Sequence, residues 1–594
     1  VLDARLPLQM LFELPTVAEL AAAVDAGAHG PASAIGRHDY GDTAPLSADQ
    51  HRMWFLQRLQ PDSAAYHVPL ALHLRGPLDV DAIRGAVQQL VDRHEVLRTV
   101  FVERADGPVQ KILPAGTPHA WELVETHGEA SAPDVVAARI AAPFDLASEA
   151  PLRVCLVRTG ADQHVLLLLF HHIAVDEWTT ALATRELREL YGAAVEGRPV
   201  NLAALPIQYA DYAIWQAERL TSDAHAAGLE FWRSSLAGAP DHIDWPAGSE
   251  PSGDGRPAGT VTFALDEQLT DRLRQVARDH GTTLFALLHA GFAAYLARLS
   301  GQRDLTVGIP VTLRDRAELQ GLFGILLNTV AMRSRIPADA SFAEWLAQSS
   351  AQWRASTAHH GVPLGEVVQA VGGRRGGHLP LFDVMFTFVP GGAAGEGFAG
   401  LDATPFDYGG LPEAKASLSA FIGDDGESLA GTVEYDASRF DRDTAEQLVA
   451  QFERFLSRCI DAPDEPMVRH DLLDETQRML VARWSVGGAF VVGDRPMHRV
   501  FEERAANAPD RPAVHTEQGT WSYAELNDRA NRLAHRLREL GVGPDVAVGV
   551  SIERSGALVA ALLGVLKSGG TYVALEPTLP RQRLAYMIDD ARVG

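Results

Sequence analysis

The chain has 594 residues and a formal net charge of −25. This length is too great for one hydrophobic core and, at roughly 150 residues per domain, predicts about four compact units. Hydrophobic residues at 46% and charged residues at 22% are ordinary for a globular chain and exclude collagen-like and mostly disordered classes. Because an acidic surface repels phosphate backbones and anionic lipid, we expect neither nucleic acid nor a membrane as a partner.

Two residue types are scarce. Cys155 and Cys459 are too few for a disulfide framework or a cysteine-rich zinc site. Lysine occurs only at Lys111, Lys415 and Lys567, so 49 of the 52 basic residues are arginine, as is typical of a GC-rich bacterial genome. No long apolar run and no signal-peptide pattern is present, and the sequence therefore predicts a cytoplasmic protein.

The N-terminal segment predicts two short helices within residues 8–25, separated by a proline break. The spacing of Thr16 and Glu19 predicts a capping box for the second helix. Two such helices cannot bury a core, so we expect them to end a domain that begins before Val1. Residues 28–45 are rich in Gly, Ala and Pro without periodicity and predict a linker.

A long α/β pattern follows this linker. Amphipathic periodicity predicts helices at 80–94, 177–195, 265–300, 341–358 and 443–461. Apolar runs predict buried strands at 164–170, 305–311 and 381–389. Glycine-rich segments predict loops at 371–377 and 390–400. A second α/β pattern begins near residue 496, with a helix at 526–540 and a strand at 546–552.

The most informative segment is HVLLLLFHHIAVDEWTT, residues 164–180. The apolar run ends at His171 and His172, and Asp176 opens the next helix. Adjacent histidines on extended chain point to opposite sides, so at most one faces a given substrate. On the residues alone three interpretations stay open. They are a metal site, although no HExxH motif is present, structural histidines, and a histidine that acts as general base in acyl transfer.

Seven segments carry a family resemblance. HHIAVDEW resembles the HHxxxDG signature of condensation domains in nonribosomal peptide synthetases. The other segments resemble that family's remaining motifs, in the family's order: PLSADQHRMWFL (45–56), RHEVLRTVF (93–101), QYADYAIWQ (208–216), LFGILLNTV (322–330), AHHGVPLGEVV (358–368) and HLPLFDVMF (378–386). On these motifs the central stretch is identified as a member of the condensation-domain family.

The flanks resemble other synthetase domains. Residues 6–24 resemble the last two helices of a peptidyl carrier domain, and residues 521–534 and 566–577 resemble the first two motifs of an adenylation domain. The resemblance implies this division: carrier helices at 1–27, a linker at 28–45, a condensation domain at 46–470 (N-lobe about 46–225, C-lobe about 226–470), a linker at 471–495 and the start of an adenylation domain at 496–594. The carrier's phosphopantetheine-bearing serine and the adenylation domain's phosphate loop are expected outside this chain, so neither flank is expected to be active.

The resemblance also implies a fold and a reaction. The expected fold is α/β, with two chloramphenicol-acetyltransferase-like lobes in a V and a tunnel between them. The implied partners are an upstream donor carrier, a downstream acceptor carrier and the remainder of the adenylation domain. Each carrier presents a thioester on a phosphopantetheine arm, and the acceptor α-amine attacks the donor thioester. Alignment of the two substrates supplies much of the rate, and no step requires a metal.

Family resemblance assigns roles to the central motif. His172 matches the catalytic histidine, which acts as a base or holds the amine, and His171 matches the structural first histidine. Asp176 completes the motif and is expected to form a salt bridge to Arg314 of GIPVTLR. Glu177 replaces the family's usual glycine. It either lies exposed in the first helical turn or points into the acceptor channel and binds an ammonium or polar group.

Further tunnel candidates are Arg52, Asn328 and Trp178. Arg52 either braces the lobe through a salt bridge or restricts entry of the acceptor arm. Asn328, with its neighbour Thr329, belongs to a segment that crosses between the lobes. Several aromatic residues are of a kind more often found in the core: Trp178 itself, Tyr209, Trp215, Phe382 and Phe386.

Two alternative functions stay open. One is ester formation, because the sequence does not reveal the acceptor nucleophile. The other is a noncatalytic platform of condensation-domain fold that recruits a tailoring enzyme. Such platforms tend to have a damaged histidine motif, which is intact here. For the donor, the opening motif resembles domains that accept a D-configured residue, whereas the order of domains favours an L or achiral residue.

Overall fold

The computed structural model describes residues 18, 21, 22, 34–126, 128–245, 256–372, 379–390, 398–488, 493–516 and 519–593. The chain divides into two compact units, Val1–Asp474 and Glu475–Gly594. The helices predicted at 8–25 lie outside the described residues, apart from three positions. Of the linker predicted at 28–45, the last three residues form a strand.

Strands and helices alternate along the larger unit. Its strands are β1 (Thr43–Pro45), β2 (His67–Arg75), β3 (Thr99–Arg104), β4 (Gly107–Ile112), β5 (Ala120–Glu125), β6 (Leu152–Gly160), β7 (Gln163–His171), β8 (Ala258–Ala264), β9 (Asp304–Thr312), β10 (Leu327–Arg335), β11 (Val384–Pro390), β12 (Asp402–Pro405), β13 (Leu418–Asp424) and β14 (Leu429–Asp436). Its helices are α1 (Ala48–Leu59), α2 (Val80–Arg93), α3 (Ala132–Ala141), α4 (Glu177–Glu196), α5 (Tyr209–Arg219), α6 (Asp223–Ser235), α7 (Glu267–Asp279), α8 (Leu284–Ser300), α9 (Phe342–Thr357), α10 (Leu364–Val371) and α11 (Arg442–Asp461). The predicted strands correspond to β7, β9 and β11, and all the predicted helices of this unit except 265–300 are confirmed.

The N-terminal lobe is built around a sheet in the order β12-β2-β7-β6-β5. β7 lies at its centre, antiparallel to β2 and β6, and every residue from His164 to His171 is buried. Helices α2 and α4 pack together beside this sheet. A central strand covered on both faces accounts for the unbroken apolar run of the sequence. The first polar residues after that run therefore lie where the chain leaves the core.

The C-terminal lobe has its own sheet, in the order β10-β9-β11-β13-β14-β8. β11 is parallel to β13 and β9, and the other pairs are antiparallel. Helices α8, α9 and α11 contribute fully buried side chains to its core, among them Phe292, Trp345 and Phe455. The larger unit therefore consists of two α/β lobes, each with a separate hydrophobic core.

The helix predicted at 265–300 is wrong as a single element. It is two helices, α7 and α8, bent by 106°. Gly281 adopts φ +58°, which favours glycine, and the Thr283 hydroxyl accepts a hydrogen bond from Ala286 N (3.2 Å) to cap α8. The break coincides with a polar run, RDHGTT at 278–283, which interrupts the apolar pattern of the two helices. In the described part of the chain no single helix is long and apolar enough to cross a membrane. Helices α7 and α8 taken together would be, but by length and composition alone.

Two segments from the C-terminal part of the chain pack into the N-terminal lobe. β12, from the C-terminal half of the chain, pairs antiparallel with β2 at the edge of the N-terminal sheet. The connection between β9 and β10, residues 313–326, also packs Leu322, Phe323 and Leu326 into the N-terminal core. A linear division into lobes at 46–225 and 226–470 leaves these segments out. The lobes are thus joined at two places distant in sequence.

The smaller unit also combines helices with short strands. Its helices are α12 (Glu475–Ser485), α13 (Met497–Asn507), α14 (Tyr523–Glu539), α15 (Gly556–Ser568) and α16 (Arg581–Asp590). Its strands are β15 (Pro512–Thr516), β16 (Gly519–Ser522), β17 (Ala547–Val550) and β18 (Thr571–Ala574). The predicted helix at 526–540 and strand at 546–552 are therefore confirmed as α14 and β17, while α12 occupies part of the linker predicted at 471–495.

The buried His289 of α8 generates a prediction about acid stability. Neither ring nitrogen has a hydrogen-bond partner among the described residues, and burial lowers the pKa to about 4. Between pH 6.5, the pKa of an unfolded histidine, and about pH 4, His289 is protonated only in the unfolded state. The free energy of unfolding therefore decreases as the pH falls through this interval, by up to about 1.4 kcal/mol per pH unit. Chemical unfolding from pH 7 to pH 4.5 should show a shallower loss for His289→Phe than for the wild type. Parallel profiles would contradict this.

Candidate active site

The histidine motif lies where β7 leaves the N-terminal sheet. The chain turns after His171, with Ala174 N donating to His171 O (3.0 Å), and enters α4 at Glu177. His172 N donates to the carbonyl oxygen of Tyr66 (2.9 Å), which extends the pairing of β7 with β2 by one bond. This short turn holds the motif rigidly between a central strand and a long helix.

One ring nitrogen of His172 is hydrogen-bonded, and the other has no hydrogen-bond partner among the described residues. Its Nδ1 lies 2.8 Å from the carbonyl oxygen of Val175. Because a carbonyl only accepts, Nδ1 carries the proton and Nε2 presents a lone pair. Burial lowers the pKa of His172 to about 4, and the charge of Lys415 lowers it further, against the opposing effect of Asp176. The half-buried imidazole is therefore neutral near pH 7, and its Nε2 lone pair is available as a hydrogen-bond acceptor.

His171 is fully buried, and both of its ring nitrogens are engaged. Nδ1 accepts from Ile173 N (3.1 Å), and Nε2 donates to Gln57 Oε1 (3.2 Å). Burial holds its pKa well below the usual range. Its ring packs against Phe144, with 5.8 Å between centroids. No ring nitrogen is left for a substrate, so His171 supports the turn.

Asp176 and Arg314 form a buried ion pair. Arg314 Nη2 lies 3.0 Å from Asp176 Oδ1 and 3.1 Å from Oδ2, and the side chains are 1% and 2% exposed, respectively. The carboxylate also accepts from Thr179 N (2.9 Å), which caps α4, and from Leu326 N (3.0 Å). Every acceptor position of this aspartate is used for structure.

Arg314 extends the same network into the crossing segment 313–326. Its Nη1 donates to the carbonyl oxygens of Leu319 (2.6 Å) and Leu322 (2.7 Å). The cation thus holds that segment against the start of α4, five residues beyond His172. These bonds to both terminal nitrogens offset the desolvation cost of the buried charge, while Nε has no hydrogen-bond partner among the described residues.

Glu177 is exposed to solvent, yet the surrounding protein raises the pKa of its carboxyl group, against the opposing charge of Lys415. A carboxylate on an open surface is not desolvated in this way. Glu177 therefore lies exposed in the first turn of α4, with a partly desolvated carboxyl group.

The remaining candidates lie in different environments. Arg52 is half-buried, and its Nε has no hydrogen-bond partner among the described residues. Asn328 is buried, and its amide donates to the carbonyl oxygens of His360 (2.7 Å) and Val362 (2.6 Å). These bonds occupy the Asn328 amide within the C-terminal lobe. Thr329 is buried beside it.

The aromatic residues predicted to lie in the core also differ in their burial. Tyr209, Phe382 and Phe386 are buried, as predicted. Trp215 is only partly buried. The prediction that Trp178 belongs to the core is wrong. Its side chain is 52% exposed, and its indole N–H donates to Gln320 O (3.1 Å) in the crossing segment.

Three residues near the motif were missed by sequence reasoning: Tyr66, Lys415 and Glu434. We define the interlobe cluster as Tyr66, His172 and Glu177 from the N-terminal lobe with Lys415 and Glu434 from the C-terminal lobe. All five side chains are solvent-accessible. The scarcity of lysine was a signal that could have drawn attention to Lys415. Within the described ranges, no group of three or more His, Cys, Asp or Glu side chains is arranged to hold a metal ion.

The two α/β lobes have the fold of the chloramphenicol-acetyltransferase class, and the histidine motif lies where β7 leaves the N-terminal lobe. Comparison with protein families is consistent with that class. Residues 40–481 match the family described as Condensation domain, and residues 501–594 match the family described as AMP-binding enzyme. The first match covers most of the chain. The chain belongs to the condensation-domain family, and its predicted fold is confirmed.

Individual relatives extend this finding. Phosphinothricin tripeptide synthetase PhsB of Streptomyces viridochromogenes is 34% identical over 99% of this chain, and a dimodular nonribosomal peptide synthase of Bacillus subtilis (strain 168) is 34% identical over 100%. The chain spans 51% and 25% of their respective lengths. Among solved structures, the four-domain synthetase holo-AB3403 bound to AMP and glycine aligns over 95% of this chain and 44% of its own, with a TM-score of 0.79 and 23% identity. The X-domain from teicoplanin biosynthesis in complex with OxyB aligns over 74% of this chain and 98% of its own, with a TM-score of 0.68 and 28% identity.

Removal of one partner of the buried ion pair should destabilise the larger unit. Asp176→Ala leaves Arg314 buried without its counter-charge and removes the α4 cap, so we expect a loss of about 3–5 kcal/mol in the free energy of unfolding. The double variant Asp176→Ala/Arg314→Met should recover much of that loss, because both buried charges are gone. Urea unfolding measures both quantities.

Asp461→Ala is the matched control, because it breaks the exposed ion pair with Arg272. It should cost at most about 1 kcal/mol. An Asp176→Ala protein that is soluble, melts normally and retains the wild-type rate of its reaction would show that the structural role is wrong.

Proposed function

We propose that this chain carries a peptide-bond-forming condensation domain of a nonribosomal peptide synthetase. In this role it is an acyltransferase that moves a carrier-bound peptidyl or aminoacyl group from a donor thioester to the α-amine of an acceptor aminoacyl thioester. The observation that carries the proposal is the fixed tautomer of His172, whose Nδ1 is engaged by the Val175 carbonyl oxygen and whose ring is only half-buried. Membership of the condensation-domain family and similarity to peptide synthetases support it.

The proposed reaction needs alignment more than activation, since a thioester is already reactive. The acceptor nitrogen bonds to the donor carbonyl carbon, the C–S bond breaks, and the donor pantetheine leaves as a thiolate. His172 accepts the proton that the amine loses, or holds the amine by a hydrogen bond, and the thiolate is finally protonated. His171 and Asp176 are positioning residues in this scheme, because their polar atoms are engaged within the protein.

The proposed partners are an upstream donor carrier and a downstream acceptor carrier, each with a phosphopantetheine arm, and the remainder of the adenylation domain. The proposed division of the chain is a carrier remnant at 1–27, linkers at 28–45 and 471–495, a condensation domain at 46–470 and an adenylation segment at 496–594. The family matches at 40–481 and 501–594 support the two main parts.

A noncatalytic recruiting platform is the second candidate function. The observation in its favour is the similarity to the teicoplanin X-domain, a protein solved in complex with OxyB. Against it stands the neutral, singly engaged His172, which a platform does not require. Ester formation differs from the main proposal only in the acceptor nucleophile, and acceptors bearing a hydroxyl in place of the amine would reveal it.

Replacement of His172 distinguishes these functions. With both carriers loaded, His172→Ala should lower the single-turnover condensation rate by about 10²–10⁴-fold, because proton transfer or amine positioning is lost. His280→Ala, at an exposed histidine, is the matched control and should retain the wild-type rate. The wild-type rate should not fall through His172 protonation until pH approaches its pKa of about 4. An unchanged product yield for His172→Ala would favour the noncatalytic or a substrate-driven role.

Glu177 is proposed to bind the acceptor. If its carboxylate accepts a hydrogen bond from the incoming amine or ammonium, Glu177→Gly should weaken apparent acceptor affinity by about tenfold and alter the ranking of acceptors, while leaving donor preference intact. Glu177→Gln separates charge from shape. Rates with a series of acceptor aminoacyl-carriers measure both effects. An unchanged rate and acceptor profile would leave Glu177 as a residue of the first helical turn without a role in binding.

A further inference from the structure

Lys415 brings a cationic side chain of the C-terminal lobe to the histidine motif. It lies just before β13, in a segment whose Glu413 accepts a hydrogen bond from Ser63 Oγ of the N-terminal lobe (2.5 Å). Its Nζ lies 5.8 Å from the ring centroid of Tyr66. The carbonyl oxygen of the same Tyr66 accepts the backbone N–H of His172. Tyr66 thus contacts both Lys415 and the proposed catalytic histidine, His172.

The ammonium of Lys415 has no ion pair or hydrogen bond with any described residue, although the side chain is half-buried. Lys567, the other lysine in a buried setting, shows the contrast. Its Nζ donates to Asn531 Oδ1 (2.8 Å) and pairs with Glu502 (3.0 Å). An ammonium that is partly desolvated and unpaired is costly. A chain that almost always uses arginine retains a lysine at this place.

The charges near Lys415 are separated rather than paired. Burial lowers the pKa of Lys415, the charges of Glu434 and Glu177 raise it, and the charge of Arg52 lowers it. Neither glutamate is within ion-pair distance of Nζ among the described contacts. The Lys415 ammonium therefore keeps its hydrogen-bonding capacity beside Tyr66, and its charge acts on the pKa of His172.

We propose that Lys415 is a further catalytic residue, whose ammonium donates a hydrogen bond to the carbonyl oxygen of the donor thioester and stabilises the negative charge that develops there. This inference rests on the proposed function. As the acceptor nitrogen bonds to the carbonyl carbon, the carbonyl electron pair moves to oxygen, opposite Lys415. The amine gives its proton towards His172 Nε2. The electron pair then re-forms the carbonyl as the C–S bond breaks, and the pantetheine thiolate leaves and takes up the proton.

The chemistry of lysine suits this role. An ammonium is a compact point charge with donors that rotate, so it can follow a single oxygen as that oxygen changes from planar to tetrahedral geometry. A guanidinium fork instead favours two oxygens in one plane. Donors fixed where charge develops are commonly a large contribution to catalysis, and loss of one costs about 10²–10³-fold in rate.

The test exploits the two native cysteines, which are buried and whose thiol pKa values are raised by burial. Lys415→Cys introduces an accessible thiol that can be alkylated selectively. Treatment with 2-bromoethylamine restores an ammonium at nearly the original reach, whereas 2-iodoethanol adds a neutral group of similar size. N-acetylcysteamine thioesters of N-acetylated amino acids serve as donors and aminoacyl thioesters as acceptors. Single-turnover amide formation is the readout, and Lys111→Met is the matched control, at an exposed lysine.

We expect Lys415→Cys to lose about 10²–10³-fold in rate, the aminoethyl adduct to recover most of it, and the hydroxyethyl adduct to recover none. Because both adducts share one protein, any loss of stability cancels in their comparison. Equal recovery by both adducts, or a Lys415→Cys rate within threefold of the wild type, would overturn the role of Lys415 while leaving the proposed function intact. A wild-type protein that makes no amide from any pair, while His172→Ala behaves identically, would overturn the proposed function and this inference together.

Discussion

The buried ion pair between Asp176 and Arg314 is the constraint on which the candidate site depends. Its carboxylate caps α4, accepts from the backbone of Leu326 and neutralises a guanidinium that holds the crossing segment. Three elements that are distant in sequence therefore meet at one pair of charges. The turn that carries His172 lies between this pair and the end of β7. The position of the histidine follows from the same interaction that joins the lobes.

This arrangement separates two tasks that the motif contains. The polar side-chain atoms of His171 and Asp176 are all hydrogen-bonded within the protein, whereas only one ring nitrogen of His172 is hydrogen-bonded to a described residue. A neutral imidazole with a fixed tautomer needs no reorganisation before it accepts a proton. The buried His171 and the buried ion pair thus orient one lone pair of the half-buried His172.

Local sequence patterns predicted much of this fold. The unbroken apolar run of β7, the capping Asp176 and the period of helices such as α2 and α11 are local signals, and the structure follows them. The break between α7 and α8 was missed although the polar run RDHGTT at 278–283, with its glycine and a capping threonine, marks it locally. The exposure of Trp178 and the environment of Glu177 could not be predicted, since both depend on segments more than a hundred positions away. Lys415 was counted for its rarity, but nothing local connected it with His172.

The pairing of β12 with β2 has a consequence for synthesis and for recombination. Arg75 pairs with Asp402, 327 positions later, so the edge of β2 stays open until that segment has left the ribosome. At about 5–20 residues per second this interval is roughly 15–65 s, during which an unpaired edge is a template for misassociation. A chimera assembled by joining lobes from two relatives at a junction near residue 225 inherits the same difficulty. Its first lobe must accept a foreign edge strand from the second.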